Sequence, residues 1–152
     1  MKLNRLRVSE EASKQLSLLK GRTTLTPNIL CRIGFCLSLN DPSVPDPADY
    51  LPDSDREIDR HTLTGQWDSL FVALLRERCH RDGIGEEQLA SQFKAHIDRG
   101  VLLLHKRVRN LNDLALLLPR DTAPAQQDFT EVHGGFHGEP RRTERLLRRG
   151  SP

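Results

Sequence analysis

The sequence predicts an all-α fold, a compact four-helix domain over residues 1–118 with a short N-terminal extended arm, a disordered acidic loop and a C-terminal tail. Three observations predict it. Apolar residues recur at helical spacing in four separate stretches. Residues that cap or break helices bound those stretches, among them Ser9, Thr26-Pro27, Gly83 and Asn40-Asp41-Pro42. At 152 residues the chain has room for one domain with a real core and tails, and too little for two domains plus linkers.

The arm is Arg5-Leu6-Arg7-Val8, whose period of two puts Leu6 and Val8 on one face and Arg5 and Arg7 on the other. Ser9 caps the first helix. Glu10 and Glu11 sit in its first turn, where the helix dipole favours acids, and Ala12, Leu16 and Leu19 make its apolar face. Gly21 is expected to stop it, with Lys20 and Arg22 beside the negative end. A second helix opens at Thr26-Pro27, where the N–H that proline lacks is not needed. Its expected stripe is Ile29, Ile33 and Leu37, flanked by Leu30 and Cys36.

Residues 41–60 hold four prolines and seven acids against two arginines, a net of −5, with no helical period. Such a composition predicts a solvated loop. The third helix is expected as one face of Leu63, Trp67, Leu70, Phe71, Leu74 and Leu75, closed by Gly83, with Arg76, Glu77 and Arg78 fraying outward near its end. A fourth runs from Glu86 and Glu87 through Leu89, Phe93, Ile97, Val101, Leu104 and Val108. The short turn between these two predicts an antiparallel pair. Residues 111–118 add a short apolar segment that Pro119 closes. Beyond it, 119–152 are read as a flexible tail rich in arginine, with Arg141, Arg142, Arg145, Arg148 and Arg149.

Charge is distributed unevenly. The chain is +2 overall, yet in residues 1–40 seven cations face only Glu10 and Glu11, leaving +5. Cations concentrated on one part of a protein and compensated elsewhere give an oriented field, which is what steering a polyanion requires. Aromatics are only 5% of the chain, too few for a platform that stacks single-stranded bases, so duplex backbone contact fits better. Three cysteines form no CxxC pair, no secretory signal precedes them, and the longest apolar runs fall far short of the roughly 20 residues a membrane span needs. A soluble, cytoplasmic protein with reduced thiols and no membrane contact is expected.

Catalytic and metal chemistry find little support. The histidines include no HExxH and no set of three ligands on one expected surface, and His133 and His137 flank glycines that do not pre-organise a ligand. His96, Asp98 and Arg99 invite a nuclease reading, but metal-dependent phosphodiester cleavage needs a cluster of carboxylates and this helix offers one. Gly100 beside the seam suits close approach of two helices, with Arg99 pairing across an interface. No catalytic residue, metal ligand or cofactor is expected, and the chain is read as a non-enzyme.

Four segments in order carry a family resemblance: Leu19 to Gly21, Thr26 to Leu39 (TPNILCRIGFCLSL), His61 to Glu77 (HTLTGQWDSLFVALLRE) and Ala95 to Leu104 (AHIDRGVLLL). From about Arg5 to Val108 the chain resembles DndE, the small subunit of the bacterial DNA phosphorothioation, or DNA sulfur modification, system. The resemblance implies an all-helical homotetramer that binds duplex DNA, prefers nicked duplex, and works beside the other subunits of the modification complex. Its DNA contact rests on surface cations. Carried over to this chain, that gives Lys20, with Arg22 and Lys14 as neighbours on the same helix and turn, while Ser17 and Leu18 stand where related proteins tend to carry further lysines. A competing reading follows from the arm and the two helices after it. Their outline is that of a ribbon-helix-helix regulator, in which Arg5 and Arg7 would read bases in the major groove.

Overall fold

The computed structural model describes residues 3–117, and the arginine-rich segment expected over 119–152 lies outside them. The fold is mainly helical with a short two-stranded sheet. In chain order come β1 (Arg5–Arg7), α1 (Glu10–Thr23), α2 (Pro27–Asn40), β2 (Glu57–Asp59), α3 (Arg60–Thr64), α4 (Asp68–Arg81), α5 (Leu89–Arg107) and α6 (Leu111–Ala115). Single 3-10 turns precede α4 and α5 and interrupt the acidic segment at Pro47–Asp49.

The core forms around α5, which packs chiefly on α2 and also on α1 and α4. Leu89, Phe93, Ile97, Val101, Leu104 and Val108 are all buried, as the seam predicts. Phe35 of α2 stands at the centre, its ring 5.4 Å from that of Phe71 and 5.2 Å from that of Phe93. α2 and α5 run antiparallel and meet through glycines: a Cβ on Gly34 would sit 2.7 Å from the carbonyl carbon of Gly100. The expected partnership of the two long seams, α4 and α5, is therefore secondary to this glycine-to-glycine crossing.

Several helix boundaries and faces differ from expectation. α1 continues through Gly21 and ends where Thr24, at φ 62°, takes the left-handed cap. The buried face of α2 is Leu30, Cys31, Gly34, Phe35 and Ser38, so Ile33 and Leu37 are only half-buried and Ile29 and Cys36 are exposed. A helical stripe cannot reveal its own inner edge when both flanks are apolar. The third expected helix is broken at Gly65, whose φ of 59° and ψ of −143° suit glycine almost alone. Behind that break Trp67, Leu70 and Leu74 face outward, the first 53% exposed.

The acidic segment is ordered. β2 pairs antiparallel with β1 in the register Arg5↔Asp59, Leu6↔Ile58, Arg7↔Glu57. The ribbon is thus completed within one chain, whereas a ribbon-helix-helix start pairs its strand with a second copy. Leu6 and Val8 point into the core and Arg5 and Arg7 outward, as the alternation requires. Arg78, expected to fray, is 4% exposed. It donates to the carbonyls of Leu39, Asp41, Pro42 and Ser43 and pairs with Asp82 at 2.6 Å. Arg99 reaches the same turn, donating to Ser38 Oγ, Ser38 O and Ser43 O. Its partners lie inside the chain rather than across an interface. Lys94 donates to the carbonyl of Tyr50.

Many of the acids prove to be caps. Asp41, Asp46 and Asp59 accept from backbone N–H groups two or three residues ahead, and Asp53 accepts from Glu10 N at 2.7 Å, at the start of α1. Composition reads this segment as a solvated loop; its carboxylates do stay largely at the surface, while Arg78, Arg99 and Lys94 from α4 and α5 give its carbonyls partners.

Candidate nucleic-acid interface

β1 carries Arg5 and Arg7 on a ribbon face that also presents Glu57 and Asp59. Arg5 Nη1 lies 3.1 Å from Glu57 Oε2. Carboxylates interleaved with the arginines make that face electrostatically mixed, a poor match for a phosphate-walled groove.

α1 distributes its three cations around its girth. Ala12, Leu16, Leu19 and Thr23 are buried, and Lys14 projects from the opposite side. There it pairs with Glu10 at 2.7 Å, and it lines a hollow shared with Asp53, Asp55 and Arg56. The hydrogen bond and charge of Glu10, with a lesser contribution from Asp53, raise the Lys14 pKa above its usual value. Lys20 and Arg22 stand at the C-terminal end of the helix and are both exposed. At about 3.6 residues per turn, positions two apart point to nearly opposite flanks, so these two do not share a face.

The fold gives Arg22 other company. Its Nη1 is 3.3 Å from His105 Nε2, where the C-terminal ends of α1 and α5 come together. Burial first, and the neighbouring Arg22 charge second, lower the His105 pKa, and because a guanidinium can only donate, the ring nitrogen it meets is the acceptor. Lys106, Arg107 and Arg109 follow directly and are exposed. Among the described residues, Lys20, Arg22, Lys106, Arg107 and Arg109 take part in no ion pair, whereas Lys14 and Arg5 do. The reading from sequence assigned no role to Lys106 and Arg107 in the last turn of α5 or to Arg109 just beyond it. Their signal is the run His105-Lys106-Arg107-Val108-Arg109, which overlaps the end of the apolar seam.

The residues of the nuclease reading lie elsewhere and inside. His96 and Asp98 have no exposed surface. Arg99 Nε donates to Ser38 Oγ, which meets His96 Nδ1 at 2.9 Å, and burial lowers the His96 pKa to about 4. Asp98 accepts from Ser9 N at 2.7 Å and lies 3.5 Å from Lys94 Nζ, with burial raising its pKa. These groups tie α5 to α2 and to the start of α1. Cys31 is likewise a buried core residue, its thiol pushed up to about 12 by desolvation. No helix among the described residues is long and apolar enough to cross a membrane.

Comparison with known proteins bears on this surface. The DndE family model, for the DNA sulphur modification protein DndE, matches residues 5–112, which take in both strands, α1 to α5 and the first two residues of α6. The crystal structure of DndE from Escherichia coli B7A, involved in DNA phosphorothioation modification, is similar at a TM-score of 0.58. It shares 26% identity, over 68% of this chain and 98% of that one. A glycine-to-lysine mutant of DndE involved in DNA phosphorothioation gives a TM-score of 0.56 at 24% identity, over 68% and 99%, and speaks for the fold. No curated protein matches the chain in sequence.

Proposed function

The chain belongs to the DndE family of DNA sulphur modification proteins, and from that premise we propose that it is the DNA-binding subunit of a phosphorothioation complex, holding duplex DNA and preferring nicked duplex. The observation that carries the proposal is the exposed cationic end of α1, where Lys20 and Arg22 form no ion pair among the described residues, on a chain whose first 40 residues are +5. Lysine and arginine hold phosphate by charge and hydrogen bonding and need no base contact. A nick makes the duplex easier to bend, so a rigid surface favours it through a lower cost of deformation.

In this reading the protein makes no covalent bond and needs no cofactor. It presents DNA in the cytoplasm to other subunits that carry out sulfur transfer, and it does so as a homotetramer. The buried positions of His96 and Asp98 support the non-catalytic role, because neither can reach a scissile phosphate. Charge reversal tests the assignment: Lys20→Glu with Arg22→Glu is expected to weaken nicked-duplex binding and to flatten its log–log salt dependence by about 0.9 per lost contact. Helicity by circular dichroism should stay the same. Undiminished binding by that variant refutes the assigned surface. Strong discrimination between base sequences, abolished by Arg5→Ala with Arg7→Ala, would instead favour the ribbon regulator.

A further inference from the structure

Proximity in sequence groups Arg22 with Lys20, but the fold groups it with the end of α5. Four exposed cations follow one another across that junction: Arg22 on α1, then Lys106, Arg107 and Arg109. They are joined through the contact of Arg22 Nη1 with His105 Nε2 at 3.3 Å. We infer that Arg22 and Lys106, with Arg109 just beyond the end of the helix, form one composite contact for the sugar–phosphate backbone of duplex DNA, laid across the ends of α1 and α5, with Lys20 and Arg107 reaching the duplex from the other flanks of their helices. The inference rests on the proposed DNA-binding role and specifies where the duplex lies.

Among the described residues none of the four cations Arg22, Lys106, Arg107 and Arg109 forms an ion pair. Between Asp98, which is buried, and Asp113 the sequence holds no carboxylate. Asp113 itself accepts from the backbone N–H groups of Arg109 and Asn110, at 2.7 and 3.2 Å. His105 holds the Arg22 guanidinium as a neutral acceptor, so orientation is gained without loss of charge. A carboxylate in that place would hold it more strongly and cancel it.

Helix stability does not account for the arrangement. Cations in the last turn of α5 do complement its dipole, which explains Lys106 and Arg107 in part. Arg109 lies past the end of α5 and directly before Asn110, the N-cap of α6. There the negative end of α5 favours a positive charge and the positive end of α6 opposes it, so the dipoles alone do not select an arginine. A polyanion does, and it also relieves the mutual repulsion of all four groups.

The test is binding of the full chain to a labelled nicked duplex and to its intact counterpart, at two or more salt concentrations. Lys106→Glu with Arg107→Glu is expected to weaken both about tenfold or more and to lower the salt slope by about 1.8, two contacts at about 0.9 each. Arg76→Glu with Arg81→Glu makes the same change in net charge on exposed α4 residues that already face Glu86 and Glu77. That control is expected to stay within about twofold, the range of a nonspecific change in field. The neutral pair, Lys106→Ala with Arg107→Ala, should move in the same direction by less, which guards against a charge-reversed variant that misfolds. Equal effects of the α4 and α5 variants, or an unchanged salt slope at α5, overturn the composite contact. Loss of binding in the Lys20 and Arg22 variant alone would sink this inference and leave the proposed function standing, whereas a natural chain without salt-dependent binding sinks both.

Discussion

His96 shows how a buried titratable residue couples this fold to pH. Its ring is inaccessible and its pKa is lowered to about 4, from 6.5 in an open chain. As pH falls below 6.5 the unfolded chain takes up a proton that the folded chain refuses, so stability declines until about pH 4 and then levels off. The full difference amounts to roughly 3 kcal/mol. Asp98 acts with the opposite sign: burial raises its pKa, so the folded chain binds its proton first and regains some stability at the acidic end. The clean window therefore lies just below pH 6.5. In urea titrations His96→Asn is expected to remove the decline between pH 6.5 and 5 seen in the natural chain, and identical slopes would refute the assignment. Sequence set the histidine apart from any metal motif but did not place it, because helical periodicity does not report the Ser38 side chain that another helix brings to it.

At the scale of elements, the acidic segment is the main departure from the sequence reading, and Arg78 and Arg99 are its physical cause. A stretch with four prolines has few ways to bond to itself, and two buried guanidiniums from α4 and α5 satisfy its carbonyls instead. Arginine suits the task, since its planar fork places several donors at fixed angles. Arg78→Met should cost about 3 kcal/mol in denaturant unfolding, because it strands several carbonyls and the Asp82 carboxylate at once. Hydrogen exchange in residues 39–50 should rise with it. The exposed pair of Arg76 with Glu86 provides the contrast, and Arg76→Met is expected to cost less than about 1 kcal/mol. Similar losses for both would show that the turn is held by other forces. α4 teaches the same lesson from the other side: its apolar spacing was real, but a single glycine of positive φ at position 65 rotated Trp67 and Leu70 out of the core.

Across the whole molecule, two surfaces stand apart. One is the cationic junction of α1 and α5. The other is the outer side of α2, where Ile33, Cys36 and Leu37 join Leu114, Ala115 and Leu117 in an apolar groove. The proposed homotetramer would cover apolar surface of this kind, and repetition of the cationic junction in each subunit would multiply contacts along one duplex. Light scattering at micromolar concentration is expected to return about four times the 17.3 kDa of one chain. Ile33→Asp with Leu37→Asp should lower that mass while the helices persist. A monodisperse monomer of the natural chain contradicts the assembly.

What the sequence determined by itself was local: the capped start of α1, the proline-led start of α2, the unbroken seam of α5, the alternation of β1, and the concentration of positive charge near the N-terminus. Each depends on residues within a few turns of one another, so periodicity and capping suffice to read it. Only the tertiary structure decided which side of α2 faces inward, that Gly34 and Gly100 set the central crossing, that buried arginines order the acidic segment, and that Arg22 joins the end of α5. Those outcomes depend on atoms that are distant in the chain and near in space, and their energy is gained only once the helices have packed.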